Sequence, residues 1–281
     1  MSKSSLPKRI LGGTLLVVAL IGGVMLGKFT CLAIFAFGLA GMMSEYYRMA
    51  FADGKYALER ILLTALAVAV FAYVVLSQAY GLPLKYLLLA LPLLMVVFML
   101  LLVNQSGDIA NLKVQDITFP LVYLLPAFAV SSRIMFDKEG LYSPWMFIAV
   151  ICVLWMSDVG GYAFGMAFGQ KQGSRKIAPT LSPKKSLAGV FGSVVFTLAT
   201  SAFMYICFNL QLTVWQWAAI SVIAVLFGIF GDLFESLLKR HYGLKDSGSI
   251  IIGHGGLMDR FDAVVFALPA ITVFLLLTGA I

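Results

Sequence analysis

The chain has 281 residues, 61% of them hydrophobic and 12% charged, with a formal net charge of +7 and a mean hydropathy of +0.98. Soluble globular chains are nearer half apolar and a quarter charged, so this composition excludes a fold bathed in water and leaves lipid facing much of the exterior. Cys31, Cys152 and Cys207 lie singly in apolar stretches, the pattern of small hydrophobes and not of a disulfide or metal site.

A bilayer core of about 30 Å is crossed by roughly 20 apolar residues in a helix. In chain order, such runs cover 10–27, 29–47, 61–80, 86–103, 117–132, 145–168, 187–209, 213–235 and 263–281. The expected fold is all-α: a polytopic transmembrane protein of about nine spans, or eight, since the first two runs are short and closely spaced. The runs are continuously apolar and do not alternate, which argues against membrane strands. Lys8 and Arg9 precede the first run as in a signal peptide, but no small-x-small cleavage site follows, so it is read as a retained helix. With the N-terminus inside, the outer segments hold only Lys28, Lys85, Arg133 and Lys138 of the 20 basic residues. The positive-inside rule therefore puts the N-terminus and the long basic connections 169–186 and 236–262 in the cytoplasm, in a multi-pass protein of the inner membrane. Their charge fits a face beside anionic lipid, and no nucleic-acid partner is expected. One integral membrane domain is expected over 1–281, with N-terminal membrane helices in 1–144 and catalytic helices and loops in 145–281.

Ionisable groups within or beside membrane helices are costly, so each is a candidate for function. Glu45, beside Tyr46 and Tyr47 at the end of the second run, reads as an interfacial helix-end residue. Asp232, Glu235, Ser236, Lys239 and Arg240 share one face at helical spacing, starting where the apolar run ends at Gly231. This stripe leads into Lys245-Asp246-Ser247-Gly248 and then Gly253-His254-Gly255-Gly256-Leu257-Met258-Asp259-Arg260-Phe261-Asp262. Glycines permit the close backbone approach that a phosphate cradle requires. Lys245 and Arg260 carry charge for phosphate oxygens. Asp246, Asp259 and Asp262 are hard oxygen ligands of the kind magnesium combines with substrate phosphates, which points to a metal-bound nucleoside triphosphate. His254 reads as a structural or phosphate-contacting residue, because a phosphate monoester nucleophile is already anionic and needs no base. His241 reads as a lone loop histidine. Upstream, Asp158-Val159-Gly160-Gly161-Tyr162 adds a carboxylate. Ser182-Pro183-Lys184-Lys185-Ser186 adds clustered hydroxyls and amines, with Pro183 expected to fix a turn.

Together, the stretches Ser236–Arg240, Lys245–Gly248 and His254–Asp262 resemble the signature of phosphatidate cytidylyltransferases, also called CDP-diacylglycerol synthases. The Asp158 and Ser182–Ser186 blocks are similar to that family's upstream motifs, in the right order. The resemblance implies a membrane enzyme, often a homodimer, that transfers the cytidylyl group of CTP to phosphatidic acid, giving CDP-diacylglycerol and pyrophosphate. It implies magnesium, with or without a second cation, held by Asp232 and Asp259, with Lys239 and Arg240 joining them in catalysis. The residues it implies for substrate binding are Asp158, Ser182, Lys184, Ser236, Lys245, Asp246, His254, Arg260 and Asp262. Two positions depart from the usual pattern: Ile252 stands where Pro or Gly is common, and Leu187-Ala188-Gly189 stands where x-Glu-Gly is common. A CTP-dependent polyprenol or dolichol kinase would also want magnesium, basic loops and a lipid substrate. A secondary transporter would use intramembrane carboxylates, but these charges gather at one membrane face and no inverted repeat is visible.

Overall fold

The computed structural model describes residues 5–51, 54–104, 114–171, 174–179, 181–208, 210–248 and 255–281. Nine α-helices form among them: α1 (Ser5–Met25), α2 (Lys28–Ala50), α3 (Ala57–Tyr80), α4 (Ala90–Asn104), α5 (Val114–Ser131), α6 (Trp145–Ala167), α7 (Leu187–Cys207), α8 (Val214–His241) and α9 (Met258–Leu277). Eight helical segments are long and apolar enough to cross a membrane, and Gly12–Met25 of α1 is a shorter apolar helix. The all-α, polytopic expectation is borne out.

The one departure among the described residues is a small antiparallel hairpin of β1 (Lys176–Ala178) and β2 (Ser182–Ser186), with Lys176 opposite Ser186 and Ala178 opposite Ser182. Pro183 therefore lies inside a strand and does not form the expected turn. Proline's fixed φ also suits extended backbone, and its missing N–H is tolerated in a strand with an unpaired edge. Ser186 closes the hairpin and caps α7, its hydroxyl accepting from the Gly189 amide at 3.3 Å.

The chain divides into two compact units. The first comprises 1–133, 140–142 and 246–259; the second comprises 134–139, 143–245 and 260–281. The signature loop 246–259 thus belongs with α1–α5. In this first unit α2 packs on α1, α3 and α5, and α3 on α5. Leu39, Met43, Leu63, Ile117 and Leu124 are fully buried in its core. The Tyr47 hydroxyl donates to the Ile117 carbonyl at 2.9 Å, tying α2 to α5.

In the second unit α6 packs on α7, and α7 on α8. The α6–α7 crossing is lined by glycine: a Cβ at Gly160 or Gly192 would collide with the facing backbone carbonyl. Lipid offers no hydrophobic gain for bringing helices together, so close backbone contact and interhelical hydrogen bonds do this work. Ser193 donates to the Ser157 carbonyl at 2.8 Å, and Ser201 and Ser221 share a 2.7 Å hydrogen bond between α7 and α8. Helix α8 opens with a Thr213–Gln216 capping box and runs 28 residues. It continues past its apolar part, so the stripe from Asp232 to Arg240 is helical, as its spacing predicts.

Replacing Gly192 with Leu is expected to wedge α6 from α7 at a cost of about 1–3 kcal/mol. Thermal unfolding in detergent should then show a midpoint lowered by several degrees. Gly22→Ala, where a Cβ meets nothing within 4 Å, should leave the midpoint unchanged.

Candidate active site

Two clusters of acidic side chains are built at the polar ends of the helices, one in each unit. In the second unit, Asp232 on α8 forms an ion pair with Lys185 of β2. The Asp232 side chain is 41% exposed and that of Lys185 21%, so the pair is open to an incoming group. Asp158 on α6 and Asp262 on α9 lie within electrostatic reach of Asp232 and of each other, and Lys185 acts on Asp158 as well. Glu235 is buried beside Asp262 and pairs with Lys239 at 3.4 Å, one turn along α8. Gly231 makes this convergence fit, since a Cβ there would run into the Asp262 carbonyl group on α9. One turn on, Phe234 packs against Phe266 with ring centroids 5.2 Å apart.

Four carboxylates thus gather around two ammonium groups. Bringing like charges together away from bulk water is costly unless cations or donors offset them. Lys185 and Lys239 supply part of that offset here.

In the first unit, Asp259 Oδ2 accepts from the Ser247 amide at 2.9 Å, the Ser247 hydroxyl at 2.9 Å and the Gly256 amide at 3.1 Å. Glu45 accepts from the amides of Leu257 at 2.8 Å and Met258 at 2.9 Å, and from the Ser247 hydroxyl at 3.4 Å. Its exposure is 0%. Glu45 is thus a buried cap on the first turn of α9, where amides lack intrahelical partners and the helix dipole favours negative charge. This corrects the interfacial reading of Glu45. It also changes the role of the loop glycines. Gly255 has φ +90°, and a Cβ at Gly248 would lie 2.6 Å from Glu45 Oε1. Among the described residues the glycine loop wraps the protein's own carboxylates, and the amides of Gly256, Leu257 and Met258 are occupied by Asp259 and Glu45. The expected phosphate cradle is not formed by these three amides.

The remaining candidates fall into place around these clusters. Ser236 is half-buried on α8. Arg240 is exposed, and its Nη1 donates to the Leu244 carbonyl at 3.2 Å. Ser182 is half-buried at the start of β2, and Lys184 is exposed with its carbonyl accepting from Gln170 at 3.0 Å. Successive strand residues face opposite ways, so Lys185, not its neighbour, meets Asp232. Lys245, Asp246 and Arg260 are exposed. His254 and Ile252 lie outside the described residues. No group of three or more His, Cys, Asp or Glu arranged to hold a metal occurs among the described residues. Glu235 stands in the stripe that helical spacing marks out, but Lys185 and Glu45 are absent from the site expected from sequence. Lys185 could have been found by strand alternation. Glu45 carries no local signal, because its partners lie more than 200 residues away.

A family model described as "Cytidylyltransferase family" matches residues 7–278. The chain belongs to the cytidylyltransferase family. The match runs from α1 through α9 and contains both acidic clusters. Among curated relatives, it is similar to proteins named phosphatidate cytidylyltransferase. That of Staphylococcus epidermidis is 37% identical over 126 residues, 45% of this chain and 47% of the relative. That of Staphylococcus saprophyticus is 38% identical over 139 residues, 50% of this chain and 51% of the relative. That of Staphylococcus aureus is 37% identical over 139 residues, with the same shares. The chain spans about half the length of the curated relatives it matches.

In this chain, Glu45→Gln keeps the size of the cap while removing its charge. Losing a charged acceptor for buried amides costs about 1–3 kcal/mol. Hydrogen exchange followed by mass spectrometry should show faster exchange at Leu257 and Met258. Unchanged protection there would contradict the capping role.

Proposed function

We propose that this chain transfers the cytidylyl group of CTP to phosphatidic acid, releasing pyrophosphate and leaving CDP-diacylglycerol in the bilayer. The observation that carries the proposal is the carboxylate–lysine cluster of Asp158, Lys185, Asp232 and Asp262, within a span matched by the cytidylyltransferase family. The printed names of the relatives point to the same substrate class. CTP arrives from water, while phosphatidic acid keeps its acyl chains in lipid, so the reacting groups meet at headgroup depth. Asp232 follows the last apolar stretch of α8, nine residues before that helix ends, which suits this depth.

Asp232 and Asp259 are the proposed magnesium ligands, with a second cation as a further occupant. Magnesium takes one or two carboxylates and completes its shell with phosphate oxygens and water, so two aspartates suffice for the protein's share. Bound there, it would neutralise triphosphate charge and polarise the α-phosphorus. The chain's own part is positioning and charge. Lys185, Lys239 and Arg240 draw the two anionic substrates together. Asp158, Ser182, Lys184, Ser236, Lys245, Asp246, His254, Arg260 and Asp262 are the proposed substrate contacts. A phosphatidate oxygen forms a bond to the α-phosphorus, the bond from that phosphorus to the bridging oxygen breaks, and its electron pair leaves with pyrophosphate. The nucleophile is already ionised, so no general base is required, and the rate gain comes from alignment and electrostatic stabilisation. The enzyme works as a homodimer with both basic connections in the cytoplasm.

Purified protein given CTP labelled at the α-phosphorus, magnesium and phosphatidic acid should yield a labelled lipid. Asp232→Asn and Asp259→Asn should each reduce that yield by about 100-fold or more, the scale expected when transition-state charge stabilisation is removed. Lipid labelled only from the γ-phosphorus would make the protein a kinase instead.

Orientation is checked separately. Single cysteines at Lys184 and Lys245, in a background without Cys31, Cys152 and Cys207, should resist an impermeant thiol reagent in intact cells and react once the membrane is opened. Reaction in intact cells at either site would place that connection outside.

A further inference from the structure

A groove outside the two acidic clusters lies between α2 and α3. It has a volume of about 580 Å³ and is lined on one side by Ala40, Ser44 and Arg48 of α2, and on the other by Arg60, Ile61, Ala65 and Val68 of α3. Cavities of several hundred cubic ångströms are of ligand size. Residues 40, 44 and 48 form one stripe of α2, and 57, 61, 65 and 68 form the facing stripe of α3. The small side chains of Ala40, Ser44, Ala57 and Ala65 leave a trough, and the two arginines stand at its polar end.

We propose that this groove binds an anionic phospholipid, with its phosphate held by Arg48 and Arg60 and its acyl chain lying in the trough. Arg48 is in the last turn of α2, is exposed, and has no protein acceptor among the described residues. Arg60 is in the first turn of α3. Its Nε donates to the Tyr56 carbonyl at 3.3 Å and its Nη2 to the Gly54 carbonyl at 3.1 Å, and its guanidinium lies 5.9 Å from the centre of the Phe51 ring. These contacts fix the guanidinium while leaving further N–H donors of its five available. None of the described residues that line the groove is acidic. Glu45, the acid closest along α2, is committed to the amides of Leu257 and Met258, and Glu59 is buried on α3.

Two guanidinium groups with no acidic partner among the described residues therefore sit at a helix boundary beside an apolar trough. Free phosphate would leave the trough empty. A zwitterionic lipid would bring its own cation against the arginines. An anionic phospholipid satisfies both ends, and arginine pairs well with phosphate oxygens. By charge distribution this end of α2 and α3 faces the cytoplasm, where the leaflet is anionic. None of the residues proposed for the cytidylyl transfer lines the groove, so the site stands whether or not that proposal holds.

The test is native mass spectrometry of the full chain released from mixed micelles of phosphatidylglycerol and phosphatidylcholine. The expected result is retained phosphatidylglycerol, one per chain, and no retained phosphatidylcholine. The double variant Arg48→Gln, Arg60→Gln should lose the retained lipid. Because Arg60 also ties down the start of α3, Ala65→Phe provides a second probe: it fills the trough from an exposed position, leaves both arginines in place, and should lose the lipid too. Lys85→Gln, outside the groove, should keep it. Equal retention of both lipids, or retention undiminished in the Ala65→Phe chain, would overturn the proposal. Displacement of the lipid by millimolar inorganic phosphate would reduce the site to a phosphate site and overturn it as well. A lipid-free dimer that Ala65→Phe dissociates would assign the groove to a second copy of the chain.

Discussion

A carboxylate removed from bulk water must be met by donors or by cations, and this chain meets its clustered acids in both ways. Glu45 and Asp259 are held by backbone amides and by the Ser247 hydroxyl. Asp232 and Glu235 are held by lysines. The two solutions have different consequences. Amide donors are part of the backbone and neither move nor exchange, so Glu45 and Asp259 rigidify the start of α9. Lysine partners are side chains on rotatable stems, so the Asp232 cluster is held less rigidly.

The rest of the second unit serves to bring Asp158, Asp232 and Asp262 together. They come from three helices, and each helix pair uses a different device to close the distance. Glycines let the α6 and α7 backbones touch, and serine hydroxyls then join α6 to α7 and α7 to α8. Gly231 lets α8 lie against the α9 backbone at Asp262. The hairpin between α6 and α7 returns Lys185 to α8, so a surface connection supplies the cation that a buried helix could not carry without its own penalty.

The sequence by itself determined the helices, their number and the polar stripe of α8. These follow from the chain's own rise and period: about 20 apolar residues make a span, and residues three and four apart share a face. It also singled out Asp158, Asp232 and Glu235 as charges too costly to be incidental, and Asp262 as an oxygen ligand. What only the tertiary structure decided is which partner each charge has. Lys185 displaced Lys184 because a two-residue period replaced the expected turn at Pro183. Glu45 became a buried cap because residues 257 and 258 return to it from the far end of the chain. The glycine loop around it serves carboxylates because those amides had already found an anion within the protein. Spacing along a chain sets local faces through backbone geometry. A pairing across two hundred residues depends on how the helices pack, and no local pattern records that.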